Sequence, residues 1–221
     1  LAMAIGPKLR WIKSDLQNKA NLIIFLIISF LLTVLIIKKL NISFLMNTIL
    51  VTSAFYLFFL TLRDFLIMKF ENLSQNFAHF GFSLLILSIL FNNIFSTEII
   101  TNLKIGETFQ SQKIKINFES VEQKNEQNFK AIIGKFKVEN IDGIVEVLNP
   151  QLRIYNQPNI VTSEADIKTS LLRDIFITMN LVQNQEYFNI RYQIKPFMIW
   201  IWFSVLLISF GGLISIFKKK Y

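Results

Sequence analysis

The 221 residues include no cysteine and one histidine, and only 17% of them are charged. Without cysteine there is no disulfide framework, no thiolate-bound zinc and no thiol redox chemistry. One histidine excludes a His-rich metal site built by this chain alone. Glycine and proline are also scarce, at seven and four. No glycine-rich phosphate loop occurs, and no serine-centred turn of the nucleophile-elbow kind. Apolar residues fill the space instead. They make up 52% of the chain, and the mean hydropathy is +0.46, above what soluble domains usually carry. So much apolar surface excludes a disordered tail.

A bilayer core about 30 Å thick is crossed by roughly 20 apolar helical residues, and four runs meet that length. Ala20 to Ile37 is apolar apart from Asn21, Ser29 and Thr33, and Leu40 to Leu62 carries no charge. Asn72 to Thr97 has His79 as its one ionisable residue. Pro196 to Phe217 is nearly all Ile, Leu, Phe, Trp and Met. A soluble helical core would need polar faces, and Leu22 to Leu32 or Ile199 to Ile208 show none. No small-residue cleavage site follows Ala20 to Ile37, so a signal peptide does not fit. The first residue is Leu1, from which we expect the chain to begin inside a longer polypeptide. The fold class expected is an α-helical integral membrane protein with four transmembrane helices. One small extramembrane β domain, residues 98–195, is inserted between helices three and four.

Orientation follows from lysine and arginine in the short flanks. Lys8, Arg10, Lys13, Lys19, Arg63, Lys69, Lys218, Lys219 and Lys220 share one side, against Lys38 and Lys39 on the other. Both termini are therefore expected in the cytoplasm or mitochondrial matrix. The β domain is expected in the periplasm or intermembrane space. That domain holds twelve basic and twelve acidic residues, so the whole net charge of +8 belongs to the membrane flanks. This is topology charge and attraction to anionic lipid, not a phosphate-binding footprint. The bilayer is a partner; nucleic acid is not.

The insert reads as β structure. Ile114, Ile116 and Phe118 alternate with Lys113, Lys115, Asn117 and Glu119. Gly134 to Val138 and Ile144 to Leu148 flank Asp142-Gly143, a pair suited to a tight hairpin. Phe188, Ile190, Tyr192 and Ile194 alternate again and lead into the fourth span through Pro196, whose fixed φ suits a first helical turn. Ser163 to Thr178 has no clear period, and irregular structure is expected there. A small sandwich or open barrel accommodates these strands. No catalytic set is present. Glu164 and Asp166, two residues apart, line one face of a strand as surface or hydrogen-bonding groups.

His79 lies in Asn76-Phe77-Ala78-His79-Phe80-Gly81, with Gln75 and Ser83 on its helical face and Ala78 and Phe82 beside it. An imidazole in hydrocarbon needs a hydrogen-bond partner, water or a metal, and neutral imidazole is a good axial ligand for haem iron. Hydrogen bonding to a neighbouring helix and haem ligation both satisfy it. Small Ala78 and Gly81 leave room for a flat ligand or another helix. Trp11, Trp200 and Trp202 stand where interfacial anchors are common.

The order and spacing of several motifs resemble the C-terminal part of the CcmF family of cytochrome c haem lyases, with the NrfE branch close behind. These motifs are Gly6-Pro7 with Arg10-Trp11, Ala78-His79-Phe80-Gly81, then Pro150, Arg153 and Tyr155. Ser163-Glu164-Ala165, Ile167 and Arg173-Asp174 follow. Last come Ile190-Arg191-Tyr192, Lys195-Pro196, Trp200-Ile201-Trp202 and Gly211-Gly212-Leu213. The resemblance implies a role in attaching haem covalently to apocytochrome c. It implies partnership with a CcmE-type haem chaperone and CcmH- or CcmI-type subunits. It also implies haem b as cofactor, with His79 as one axial ligand of its iron. The family's tryptophan-rich loop, its external histidines and its first transmembrane histidine are absent from this chain. The second ligand is therefore expected outside it, on an excised upstream part or another product of a split gene. The isolated chain is not expected to form the thioether. A structural membrane subunit without haem is the alternative.

Overall fold

The computed structural model describes residues 16–40, 44–67, 72–112, 114–140, 143–182 and 186–217, with side chains beginning at residues 20 and 47 in the first two helices. Gly6-Pro7, Trp11, Asp142 and most of the expected basic flanks (Lys8, Arg10, Lys13, Lys69 and Lys218 to Lys220) lie outside them. The chain divides into two compact units, 1–94 with 197–221, and 95–196.

The first unit contains α1 (Leu16–Leu40), α2 (Phe44–Leu66), α3 (Leu73–Phe95) and α4 (Met198–Phe217). All four are long and apolar enough to cross a membrane. α1 extends past the expected Ile37 because Lys38 and Lys39 form its last turn, where cations complement the helix dipole. Polar side chains within these helices turn back on their own backbone. Ser29, Thr33, Ser53 and Ser204 each donate to the carbonyl four residues earlier, which satisfies a hydroxyl in apolar surroundings.

Small residues and aromatic rings join the helices. Thr61 of α2 and Ser83 of α3 share a buried hydroxyl–hydroxyl hydrogen bond of 2.6 Å. Phe65 packs on Phe80 at 4.7 Å and edge-on against Phe77 at 5.1 Å. α3 and α4 meet through glycine. A methyl group on Gly211 would stand 2.8 Å from the Ala78 nitrogen and 2.8 Å from the Ser74 carbonyl oxygen. One on Gly81 would stand 3.0 Å from the Ile208 nitrogen. Between them Ser74 Oγ donates to the Gly211 carbonyl at 2.8 Å. Close backbone approach at small residues is how apolar helices associate where no hydrophobic force drives them.

The second unit is a two-sheet β-sandwich. β1 (Thr97–Leu103), β10 (Phe188–Pro196), β9 (Arg173–Leu181) and β8 (Asp166–Thr169) form one antiparallel sheet in that order. β2 (Thr108–Gln110), β3 (Ile114–Asn125), β4 (Phe129–Asn140), β6 (Gln151–Tyr155) and β7 (Val161–Glu164) form the other, with β5 (Val145–Leu148) also paired to β4. The alternation at Ile114, Ile116 and Phe118 is the buried face of β3. Phe118 and Phe136 stack at 4.3 Å in a core shared with Leu152, Ile177, Met179, Ile190 and Tyr192. Gly143 has a φ of 72°, the left-handed conformation that its turn needs and glycine supplies.

Three expectations change. Ser163 to Thr178 is ordered: it holds β7, β8 and the start of β9, and a change of sheet at Ala165 hides its short period. Glu164 and Asp166 therefore end one strand and begin another in different sheets, instead of lining one strand face. Pro196 closes β10, and the helix begins after Phe197, whose carbonyl accepts from Trp200 N at 3.1 Å and Ile201 N at 3.2 Å. Phe197 has a φ of 61°, a conformation that disfavours a bulky side chain by about 1–2 kcal/mol.

Adjacent glycines of α4 differ in what they touch. Gly211→Ala forces two backbones apart and should lower the unfolding temperature of the detergent-solubilised chain, an overpacking loss of about 1–3 kcal/mol. At Gly212 a methyl group would meet nothing within 4 Å, so alanine should be tolerated there without loss. Equal melting of the two variants would refute this account of the helix crossing.

Candidate functional site

His79 lies at the end of the second turn of α3 and is half-buried. Its neighbours in sequence fix its direction. Ala78 and Gly81 face α4, so the small residues beside the imidazole admit a helix. Phe77 and Phe80 both meet Phe65 of α2, and Phe77 also meets Phe210 of α4 at 5.1 Å. Ser83, expected on the histidine's face, is buried against Thr61 and also donates to the Phe80 carbonyl. Two sides of α3 are thereby occupied, and His79 falls on the third. Gln75 and Phe82, at helical spacing i−4 and i+3 from it, are exposed, Phe82 by 40%.

Among the described residues no hydrogen bond or ion pair reaches the imidazole. No group of three or more His, Asp or Glu side chains that could hold a metal ion occurs among them either. A lone imidazole without a carboxylate has nothing to orient it as a general acid or base. What it offers is one nitrogen lone pair toward a metal held mainly by something else. That matches the donor required by haem iron, which needs only axial ligands from protein.

The other residues singled out in the sequence have structural partners. Arg153 lies over the Phe129 ring at 5.0 Å, and Tyr155 packs on the same ring at 5.2 Å. The Pro150 carbonyl accepts from Gly134 N at 3.0 Å, and Ser163 Oγ donates to the Met179 carbonyl at 2.8 Å. Glu164 accepts from Thr162, and Asp166 Oδ2 accepts from Asn149 N at 2.6 Å. Arg191 pairs with Glu98 across the exposed face of β10 and β1. Trp200 packs edge-on against Phe203 at 6.0 Å, while Trp202 is 66% exposed.

Sequence reading missed one buried polar group. Tyr192 is wholly buried, and its hydroxyl has no hydrogen-bond partner among the described residues. Burial pushes that hydroxyl up to about 12; the Glu146 carboxylate raises it further and the Arg173 guanidinium lowers it. Glu146 Oε2 is itself buried and unpaired. An alternating strand predicts that Tyr192 points inward, but only the packed sheets show a carboxylate of β5 beside it.

Comparison with known proteins bears on the whole chain. Residues 94–196 match the family model described as the CcmF C-terminal beta-sandwich. The cytochrome c-type biogenesis protein CcmF of Haemophilus influenzae is 26% identical over 100% of the chain, and that of Escherichia coli 25% over 100%. The cytochrome c-type biogenesis protein ccl1 of Rhodobacter capsulatus is 31% identical over 66%. A solved structure of the cytochrome c heme lyase CcmF superposes on 96% of the chain with a TM-score of 0.68 at 18% identity. The chain is CcmF-like. It spans 22%, 37% and 36% of the Rhodobacter, Haemophilus and Escherichia relatives, and 37% of the solved CcmF chain. Its correspondence is thus to the C-terminal part of CcmF, which the β-sandwich marks. The match over all four helices means that the fold around His79 is a CcmF fold.

One landmark of the sandwich is placed at an electrostatic disadvantage. Asp174 is buried, and this burial raises its carboxyl above the usual range, opposed by hydrogen bonds from the Thr169 side chain and Ser170 backbone. A raised folded-state value means that the folded protein binds the proton more tightly than the unfolded chain. The stability it contributes is full below the unfolded value near 4 and falls as pH rises through the folded one. Asp174→Asn should therefore melt higher than wild type at pH 7, and the gain should vanish near pH 3. Thermal melts of the full chain at the two pH values check this; a gain of equal size at both would contradict it.

Proposed function

We propose that this chain is the haem-ligating C-terminal module of a cytochrome c haem lyase. α1 to α4 are inserted in a bacterial or mitochondrial inner membrane. The lysine- and arginine-rich flanks stay on the cytoplasmic or matrix side, and the β-sandwich lies on the opposite one. One observation carries the reading. A fold that follows CcmF over 96% of the chain turns its sole histidine to a side of α3 that neither α2 nor α4 fills.

His79 is the residue of this chain that would hold haem b, as one axial ligand to the iron, with a second histidine supplied from outside the chain. Bound there, the haem supplies a one-electron iron centre. The protein's part is orientation. Phe77, Ala78, Phe80 and Gly81 lock the rotation of α3, and with it the direction of the imidazole. In a low-dielectric setting a nitrogen held ready for the metal avoids the penalty of leaving a polar atom unpaired. The sandwich has no free nucleophile or base among the residues singled out. Its role is docking and shaping, where a haem chaperone of the CcmE type, CcmH- or CcmI-type subunits and apocytochrome c meet.

The test is optical. Wild type and His79→Ala are purified at equal protein levels in the assembly that the chain forms in its native membrane. The variant should lose most of the sharp reduced-haem absorbance of a six-coordinate b-type centre, and added imidazole should restore part of it. Unchanged bands would remove His79 as a ligand and favour a structural membrane subunit without its own haem.

A further inference from the structure

One ring outside α3 reaches residues on both sides of the histidine. Phe65, in the last turn of α2, meets Phe77 edge-on at 5.1 Å and stacks on Phe80 at 4.7 Å with 23° between the planes. These are the residues two before and one after His79. The contacts continue on either side. Phe77 meets Phe210 of α4 at 5.1 Å, and Phe80 meets Phe58 of α2 at 5.9 Å. Phe210, Phe77, Phe65, Phe80 and Phe58 thus form one continuous chain of rings through three helices, and Phe65 is its middle link.

That placement controls the roll of α3. Three residues at about 100° each put Phe77 and Phe80 about 60° apart around the helix. A ring seated between them blocks roll in either sense, whereas a contact with one alone leaves one sense open. The tolerance at stake is small. An imidazole tip lies about 5–6 Å from its helix axis, so a roll of about 10° moves it by about 1 Å. A ligating group has to be held to about 0.5 Å. The seat also calls for an aromatic side chain. Stacked and edge-to-face rings have preferred geometries, which an aliphatic side chain of similar size lacks. One turn before Phe65, the Thr61 hydroxyl meets Ser83, one turn after Phe80, so ring and hydroxyl fasten the same two helices at successive levels.

We infer that Phe65 is a positioning residue for His79. From a neighbouring helix, seated between Phe77 and Phe80, it holds the imidazole where an axial ligand has to stand. The inference rests on the proposed ligation of haem iron by His79.

The experiment reads how firmly that ligand is held. A six-coordinate haem binds carbon monoxide only when an axial ligand leaves, so a loosened imidazole shows as faster binding by the reduced haem. Wild type, Phe65→Ala, Phe65→Leu, Phe65→Tyr and Phe55→Ala are purified in the assembly that the chain forms in its native membrane. Binding rates are compared per haem retained. Phe65→Ala and Phe65→Leu should bind carbon monoxide about tenfold faster than wild type. Phe65→Tyr keeps the ring and should bind at the wild-type rate. Phe55 makes comparable ring contacts, with Phe59 at 5.9 Å and with Phe91, toward the far end of α3, at 5.6 Å. Phe55→Ala should melt lower without binding faster. Equal acceleration in Phe55→Ala would overturn the inference, as general loosening of the bundle. Wild-type rates in Phe65→Ala and Phe65→Leu would overturn it too, and so would equal acceleration in Phe65→Tyr. Where Phe65→Ala does not assemble, Phe65→Leu decides. Haem bands unchanged in His79→Ala would remove the ligation itself, and the inference with it.

Discussion

At Gly81 and Gly211 the backbones of α3 and α4 approach so closely that a methyl group on either would meet main-chain atoms at 2.8–3.0 Å. This contact determines the rotation of α3 about its own axis. Helical residues lie about 100° apart, so a helix committed to a neighbour through Ser74, Ala78 and Gly81 cannot also present His79 there. A second commitment, through Phe77, Phe80 and the Ser83 hydroxyl, ties α3 to α2. The imidazole takes the remaining direction. Its orientation is a consequence of packing among its neighbours, with no contact of its own required.

The sandwich is organised by the same economy of direction. Alternation sends Ile114, Ile116 and Phe118 inward on β3 and Ile190 and Tyr192 inward on β10. Polar residues of the recognised motifs then find partners at edges and strand ends: Arg153 over Phe129, Ser163 on Met179, Asp166 on Asn149. Tyr192 and Glu146 break this pattern, since both oxygens are buried without a protein partner. Buried unpaired polar atoms disfavour folding by about 1–3 kcal/mol each. Tyr192 shares the apolar core with Phe118, Phe136 and Met179.

Local periodicity explains what is legible in a single sequence. Helices that are apolar on every side, and strands such as β3 and β10 with a strict period of two, announce themselves. β7 and β8 do not. Four residues per strand are too few to establish a period, and the change of sheet at Ala165 reverses which residues face the core. The same limit applies around the histidine. Ala78 and Gly81 indicate from sequence that something approaches closely, but which partner arrives depends on α4, more than a hundred residues away. Ser83 does lie one turn from His79, but nothing in the local sequence shows that its hydroxyl meets Thr61 of α2 at 2.6 Å. The Glu146–Tyr192 neighbourhood joins residues from different sheets and leaves no trace in sequence order.

On the proposed reading the two units divide the work by the kind of surface each can maintain. Apolar helices hold one nitrogen at a chosen depth and direction because nothing nearby competes for it. Between Leu73 and Phe95 the helix that carries His79 holds no Asp, Glu, Lys or Arg, whose burial would be costly. A β-sandwich cannot offer such a dry setting at its faces, where Lys, Glu and Asn alternate with core residues. It can offer ends. Turns at opposite ends of antiparallel strands are independent of the core, so their composition is free to follow their surroundings. Glu126-Gln127-Asn128 and Leu171-Leu172 show that freedom: one turn is polar, the other apolar, and both are exposed.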